Sequence, residues 1–154
     1  MVAIILVIAA IAVPNLLRAR IAANESSAAT SVRRIATAEV AYNGAYPTVG
    51  FAPDLASLGG PPVNCAPTLT ASCLIDSALA SGDKSGYQLA AAGFTASGGP
   101  NDSFVAASAP DTFNVTGVRD FCIVTDGVLR EQEGTSGGSP AANISTCMEY
   151  ASAQ

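Results

Sequence analysis

The sequence predicts an α+β fold in which one long N-terminal helix packs on a small antiparallel sheet, and three observations carry that prediction. Residues 18–42 hold no glycine or proline and repeat their apolar positions at helical spacing. Beyond Gly86 the pattern changes to short runs of strand character, with an Asp126-Gly127 turn signal between the last two. Four cysteines, an even set, fall beyond the helix. A chain of 154 residues is about one domain's worth, since domains typically run ~100–150 residues.

Composition narrows the chemistry. Charged residues make up 12%, against roughly 25% in soluble globular proteins, while the hydrophobic class reaches 49% and includes 30 alanines. Such a chain hides unusual amounts of its surface. Histidine is absent, so the commonest general base, pH switch and metal ligand is missing, and most hydrolase and zinc chemistry goes with it. Residues 1–42 carry Arg18, Arg20, Arg33 and Arg34 against Glu25 and Glu39, a net +2; the remainder carries 3 positive and 10 negative side chains, a net −7. An acidic head on a weakly basic stem argues against nucleic acid as a partner, which wants a basic patch on the folded face.

Taken in chain order, residues 1–20 form a hydrophobic helical stem. Its first 17 residues, MVAIILVIAAIAVPNLL, contain one polar side chain, Asn15, and one helix-breaking residue, Pro14. As helix they would span about 26 Å, short of the ~20 residues that cross a bilayer core. A signal peptide is the competing reading, but it wants basic residues before the apolar run, whereas here Arg18 and Arg20 follow it. Ala9, Ala10 and Ala12 keep the approach to Pro14 slim, as close helix packing prefers. Residues 21–42 continue as an amphipathic helix with a stripe of Ile21, Ala28, Val32, Ile35 and Tyr42, flanked by Ala22, Ala29, Ala36 and Val40.

Residues 43–85 read as a connecting loop region, punctuated by Asn43-Gly44, Tyr46-Pro47 and Gly59-Gly60-Pro61-Pro62, with short helices expected near 53–58 and 74–80. Residues 86–154 hold the sheet and a C-terminal loop, and with residues 21–85 they make one globular head. Strands are expected at Tyr87-Gln88-Leu89, 104–108, 119–125 and 128–131, with Tyr87, Leu89, Phe104, Phe121, Ile123, Val128 and Leu129 facing the helix. Cys65, Cys73, Cys122 and Cys147 contain no C-x-x-C pair, so disulfides in an oxidising compartment are the better reading than zinc. Three pairings exist; Cys65 with Cys73 and Cys122 with Cys147 is favoured because each closes a local loop rich in turn residues.

Other chemistry is thin. Asp120, Asp126 and Glu131 read as a solvated hairpin before they read as paired catalytic carboxylates. Serines and threonines lack a histidine or nearby lysine to activate them, and Lys84, the only lysine, stands beside Asp83 in a turn. Asn24, Asn101, Asn114 and Asn143 each open an N-x-Ser/Thr sequon, a pattern short enough to arise by chance. The nine aromatics read as core and interface anchors.

The segment AIILVIAAIAVPNLLRAR, followed by an alanine-rich amphipathic helix, resembles the N-terminal helix of type IV pilins and related pseudopilins. GVRDFCIVTDGVLR, residues 117–130, resembles a strand pair of their heads, and a 122 to 147 bridge would match the C-terminal disulfide-bounded loop of many pilins. The likeness covers the first 42 residues and those from 86 to 131. It implies the type IV pilin fold and a non-enzymatic subunit of an extracellular, cell-surface pilus, polymerising into a helical filament. The filament core would be Ile4, Ile5, Leu6, Ile8, Ile11, Val13, Leu16 and Leu17, with Pro14 as a helix break. Further partners implied are the inner membrane before assembly and the pilus assembly machinery. No cofactor is expected, with calcium at the Asp120, Asp126 and Glu131 cluster as the lesser alternative, since secretion pseudopilins bind it in that part of the head. The family's mature helix begins some eight residues before the position of Met1, with a methylated aromatic residue and a glutamate soon after it. Arg18 and Arg20 would by charge hold their flank in the cytoplasm, whereas the cysteines and the resemblance place the head outside. Two alternatives remain: the major pseudopilin of a type II secretion system, and a membrane-anchored extracytoplasmic binding domain.

Overall fold

The computed structural model describes the backbone of residues 2–153 and side chains from residue 15. Its first element is a single helix, α1, Val2–Ala45, of 44 residues; at ~1.5 Å per residue it is on the order of 66 Å long. Pro14, expected to break the helix, lies inside it without interruption. A proline removes one backbone donor, and the long ladder on either side carries the helix past it.

Glu25, Ala28, Val32, Ile35, Glu39 and Tyr42 are all buried along one face of α1, at spacings of 3, 4, 3, 4 and 3 residues. This differs from the expected stripe. Two carboxylates lie on the inward seam, Ile21 is only half-buried, and Val40, expected on its flank, is exposed. Tyr46 N–H donates to the Tyr42 carbonyl as the helix ends. Gly50, at φ +83°, then lies so close to the Asn101 backbone that a Cβ there would strike its carbonyl oxygen.

Within the connecting region, α2, Leu55–Leu58, and α3, Ser77–Ala80, are each one turn long. Asp54 caps the first by accepting from Ser57 N–H at 2.8 Å, and Asp76 caps the second by accepting from Leu79 N–H at 2.9 Å. A two-residue strand, β1, Asp83–Lys84, follows where only loop was expected.

The sheet continues with β2, Tyr87–Phe94, β3, Ser103–Pro110, β4, Arg119–Val124, and β5, Arg130–Glu133. After a short helix, α4, Ile144–Met148, it closes with β6, Ala151–Ser152. All six strands are antiparallel to their neighbours and lie in chain order. Every expected strand is present, but β5 begins two residues late. Asp126 Oδ1 accepts from Val128 N–H at 3.0 Å and from Arg130, and only Gly127 has positive φ. The connection is therefore a wider loop than the two-residue hairpin expected, and it leaves Val128 41% exposed rather than inward.

The remaining expected inward residues, Tyr87, Leu89, Phe104, Phe121, Ile123 and Leu129, join Val32, Ile35 and Tyr42 in one core between α1 and the sheet. Phe51 packs on Phe104 at 4.9 Å between ring centroids, tying the connecting region into that core. On the opposite sheet face, Val105, Ala107, Cys122 and Val124 pack under Ala141, Cys147 and Tyr150. The molecule is thus α+β, with the long helix on one face of a six-stranded antiparallel sheet and a disulfide near the C-terminus on the other.

Candidate functional site

Among the described residues the candidate site is α1 itself: how the head grips its second half, and what the head leaves uncovered. The grip has two carboxylate anchors. Glu25 Oε1 accepts from Val118 N–H at 3.0 Å and from Arg119 N–H at 3.2 Å, while Oε2 accepts from Arg119 Nη2 at 2.8 Å and Nε at 3.1 Å. One side chain thereby holds the start of β4 against the helix. Hydrogen bonds to a charged acceptor contribute ~1.5–3 kcal/mol; the Arg119 side chain is 46% exposed, so its share of the ion pair falls to about 1 kcal/mol. Arg119 also reaches Glu131 at 3.0 Å and lies 5.7 Å from the centre of the Phe121 ring.

Fourteen residues along the same face, Glu39 is fully buried. Its Oε2 accepts from Ala52 N–H at 2.8 Å, which docks the connecting region on the helix, but Oε1 has no partner. Burial, aided by the nearby Asp54 charge, pushes this carboxyl up to about 7 against the pull of the Ala52 N–H. One turn on, Tyr42 O–H donates to the Leu69 carbonyl at 2.7 Å.

Leu69 belongs to the loop closed by Cys65–Cys73; the second bridge is Cys122–Cys147, with Cα atoms 6.1 and 5.9 Å apart respectively. Both favoured pairings are present, and the longer bridge pins the C-terminal segment to β4. The carboxylate cluster is not assembled. Asp126 pairs with Arg130, whose hydrogen bond holds that carboxyl below its ordinary range, and Glu131 pairs with Arg119. Asp120, on the sheet face opposite Phe121, is buried with Oδ1 unpartnered, and burial raises it. Among the described residues no group of three or more histidines, cysteines, aspartates or glutamates is placed to hold a metal ion.

The sequons differ in surroundings. The Asn24 and Asn101 amides donate to the Thr116 and Phe51 carbonyls, and Asn143 caps α4. Asn114 is exposed in a turn at φ 63°.

An uncovered stretch precedes the gripped half of α1. Asn15 to Arg20 are all exposed, with Leu16 at 72% and Leu17 at 45%. Ile4, Ile5, Leu6, Ile8, Ile11 and Val13 lie on the same helix, and their side chains are outside the described residues. No helix of the described residues is long and apolar enough to cross a membrane. Farther along, Arg33 and Arg34 face outward beside a groove of about 430 Å³ floored by Ala38, Ala41, Ile75 and Leu79 and edged by Asp76.

The two buried glutamates are the functional-looking residues that the sequence pattern missed. Their signal was present, since positions 25 and 39 complete the 3-4 spacing of the seam. Compared with protein families, characterised proteins and solved structures, the chain matches none.

Proposed function

We propose that this chain is a structural subunit of an extracellular type IV pilus, polymerising through the stem of α1, with the disulfide-braced head as the outer shell. One observation carries the reading: α1 is a continuous helix whose second half is anchored in the head, while Leu16 and Leu17 at the root of its apolar half are left open to solvent. Apolar surface left open in this way wants burial against other apolar surface, worth about 25 cal/mol per Å². Identical stems from other subunits supply that surface at fixed stoichiometry. The C-terminal disulfide supports a pilus over a secretion pseudopilus, because it braces an exposed outer segment of the kind that many pilins carry. No reaction is assigned to the subunit.

The test is electron microscopy of material sheared from producing cells, comparing the native chain with Ile8→Asp and Ile11→Asp. Native cells should yield fibres containing this chain, and each variant should yield none while the isolated protein keeps its disulfides and sheet. Normal fibres from either variant would sink the proposal. A calcium-dependent head without surface fibres would point to the pseudopilin reading, and a monomer saturably binding a small molecule to the anchored binding domain.

A further inference from the structure

The fold sharpens the charge pattern of the sequence. In sequence the first 42 residues net only +2, because Glu25 and Glu39 offset two of four arginines. In the structure both glutamates turn inward, whereas Arg18, Arg20, Arg33 and Arg34 are all exposed and take part in no ion pair among the described residues. The outward surface of α1 is therefore purely cationic. The head is net acidic, with 3 basic and 10 acidic side chains in residues 43–154. Asp83, Asp111 and Glu133 are exposed and outside any ion pair among the described residues. They gather at one end. Ser85 bonds Ser27 of the helix, Asp111 N–H donates to the Gly86 carbonyl, and Glu133 is in register with Arg119, which grips Glu25. That end is the rim where the stem enters the head.

We propose that the Arg33-Arg34 face of α1, with its adjoining groove, docks the acidic rim of a second copy of this chain, Asp83, Asp111 and Glu133 being the carboxylates that meet it. This deepens the pilus reading and rests on it for the direction of growth. A membrane surface does not account for this pair: Arg33 lies 13 residues beyond Arg20, roughly 20 Å along the helix and about two Debye lengths at physiological salt. A polyanion is disfavoured by the acidic head beside it. A second copy brings charge of the opposite sign. Because helix face and rim are different surfaces, the contact is heterologous, and each added copy presents a fresh rim to the next. The apolar groove floor adds area that charge alone does not provide.

The experiment is sedimentation velocity on the 154-residue chain in mild detergent, which shields the apolar stem so that association reports the head and the exposed helix. The native chain should self-associate at low salt and weaken about tenfold or more between 50 and 500 mM salt. Arg33→Glu with Arg34→Glu should abolish association, and Arg33→Lys with Arg34→Lys should keep most of it. Adding Asp83→Lys, Asp111→Lys and Glu133→Lys to the glutamate pair should restore it. All variants should keep the native circular dichroism, since every changed side chain is exposed. Unchanged association of the glutamate pair overturns the proposal, and so does a folded five-fold variant that stays monomeric. Loss of binding to vesicles of anionic phospholipid, with self-association intact, assigns the arginines to a membrane instead and overturns it too. If cells make no fibres but the detergent result holds, the pilus reading fails and this one stands; fibres with no salt-sensitive association give the converse.

Discussion

Replacing Glu39 by Gln should make the protein more stable at alkaline pH and leave it nearly unchanged at acid pH. The carboxyl is fully buried, makes one hydrogen bond to Ala52 N–H and leaves Oε1 without a partner. Its ionised form is held at a disadvantage, so its value rises from 4.5 to about 7 on folding. A raised carboxyl binds more protons in the folded state than in the unfolded one, and stability therefore falls as pH rises between those two values. Below about 4.5 the two states are protonated alike and the penalty vanishes. Above about 7 it is complete, and a difference of about 2.5 units at 1.36 kcal/mol each amounts to roughly 3 kcal/mol. Glutamine keeps an oxygen for Ala52 N–H and has no charge to desolvate. Urea denaturation in mild detergent, followed by far-ultraviolet circular dichroism at pH 4.5, 6 and 8, measures the difference between variant and native chain. That difference should grow with pH to about 3 kcal/mol in favour of glutamine. A flat difference, or a variant less stable at pH 8 than the native chain, would refute the reasoning.

Three further outcomes are expected. Glu25→Ala leaves two backbone N–H groups and Arg119 without their acceptor and should cost about 2–3 kcal/mol in the same denaturation assay; Arg119→Ala should cost about 1 kcal/mol, and an equal loss for the two would contradict the assignment of the backbone bonds. Gly117→Ala drives a methyl group into the hydroxyl end of the buried Tyr87 ring and should destabilise by about 1–3 kcal/mol, read as a lowered melting temperature, whereas a neutral result would mean the ring has room to move. Removing the Cys122–Cys147 bridge, of separation 25, should cost about 3.5 kcal/mol and removing Cys65–Cys73, of separation 8, about 2.5; a reversed order would show that native contacts, rather than loop length, set the cost.

Much of the fold was legible because two periodicities are clean. An uninterrupted run from Arg18 to Tyr42 reads as helix, and strands appear wherever aromatic and β-branched residues cluster between turn signals. Legibility fails where local pattern is overruled by distant partners. Positions 25 and 39 look like solvated charges until Val118, Arg119 and Ala52 supply donors from 13 to 94 residues away. Strands β1 and β6, two residues each, have no periodicity to detect and exist only because β2 and β5 offer an edge. Pro14 misled in the opposite direction, since a breaker costs a long helix one donor rather than its continuity. Of the candidate site, the cysteine pairs followed from loop closure, whereas the cationic outward face of α1 emerged only once its glutamates were found inside.

Those two short strands have a consequence for how the protein behaves in a crowd. A sheet terminates in rows of unpaired amide and carbonyl groups, and a long flat edge recruits any other strand that drifts alongside, the first step toward aggregates. Here both borders, Asp83–Lys84 and Ala151–Ser152, are only two residues long, and one carries opposite charges on adjacent side chains. At those two strands a neighbouring molecule finds little backbone on which to zip. Contacts made along those two borders must therefore be chosen by side chains rather than by strand addition.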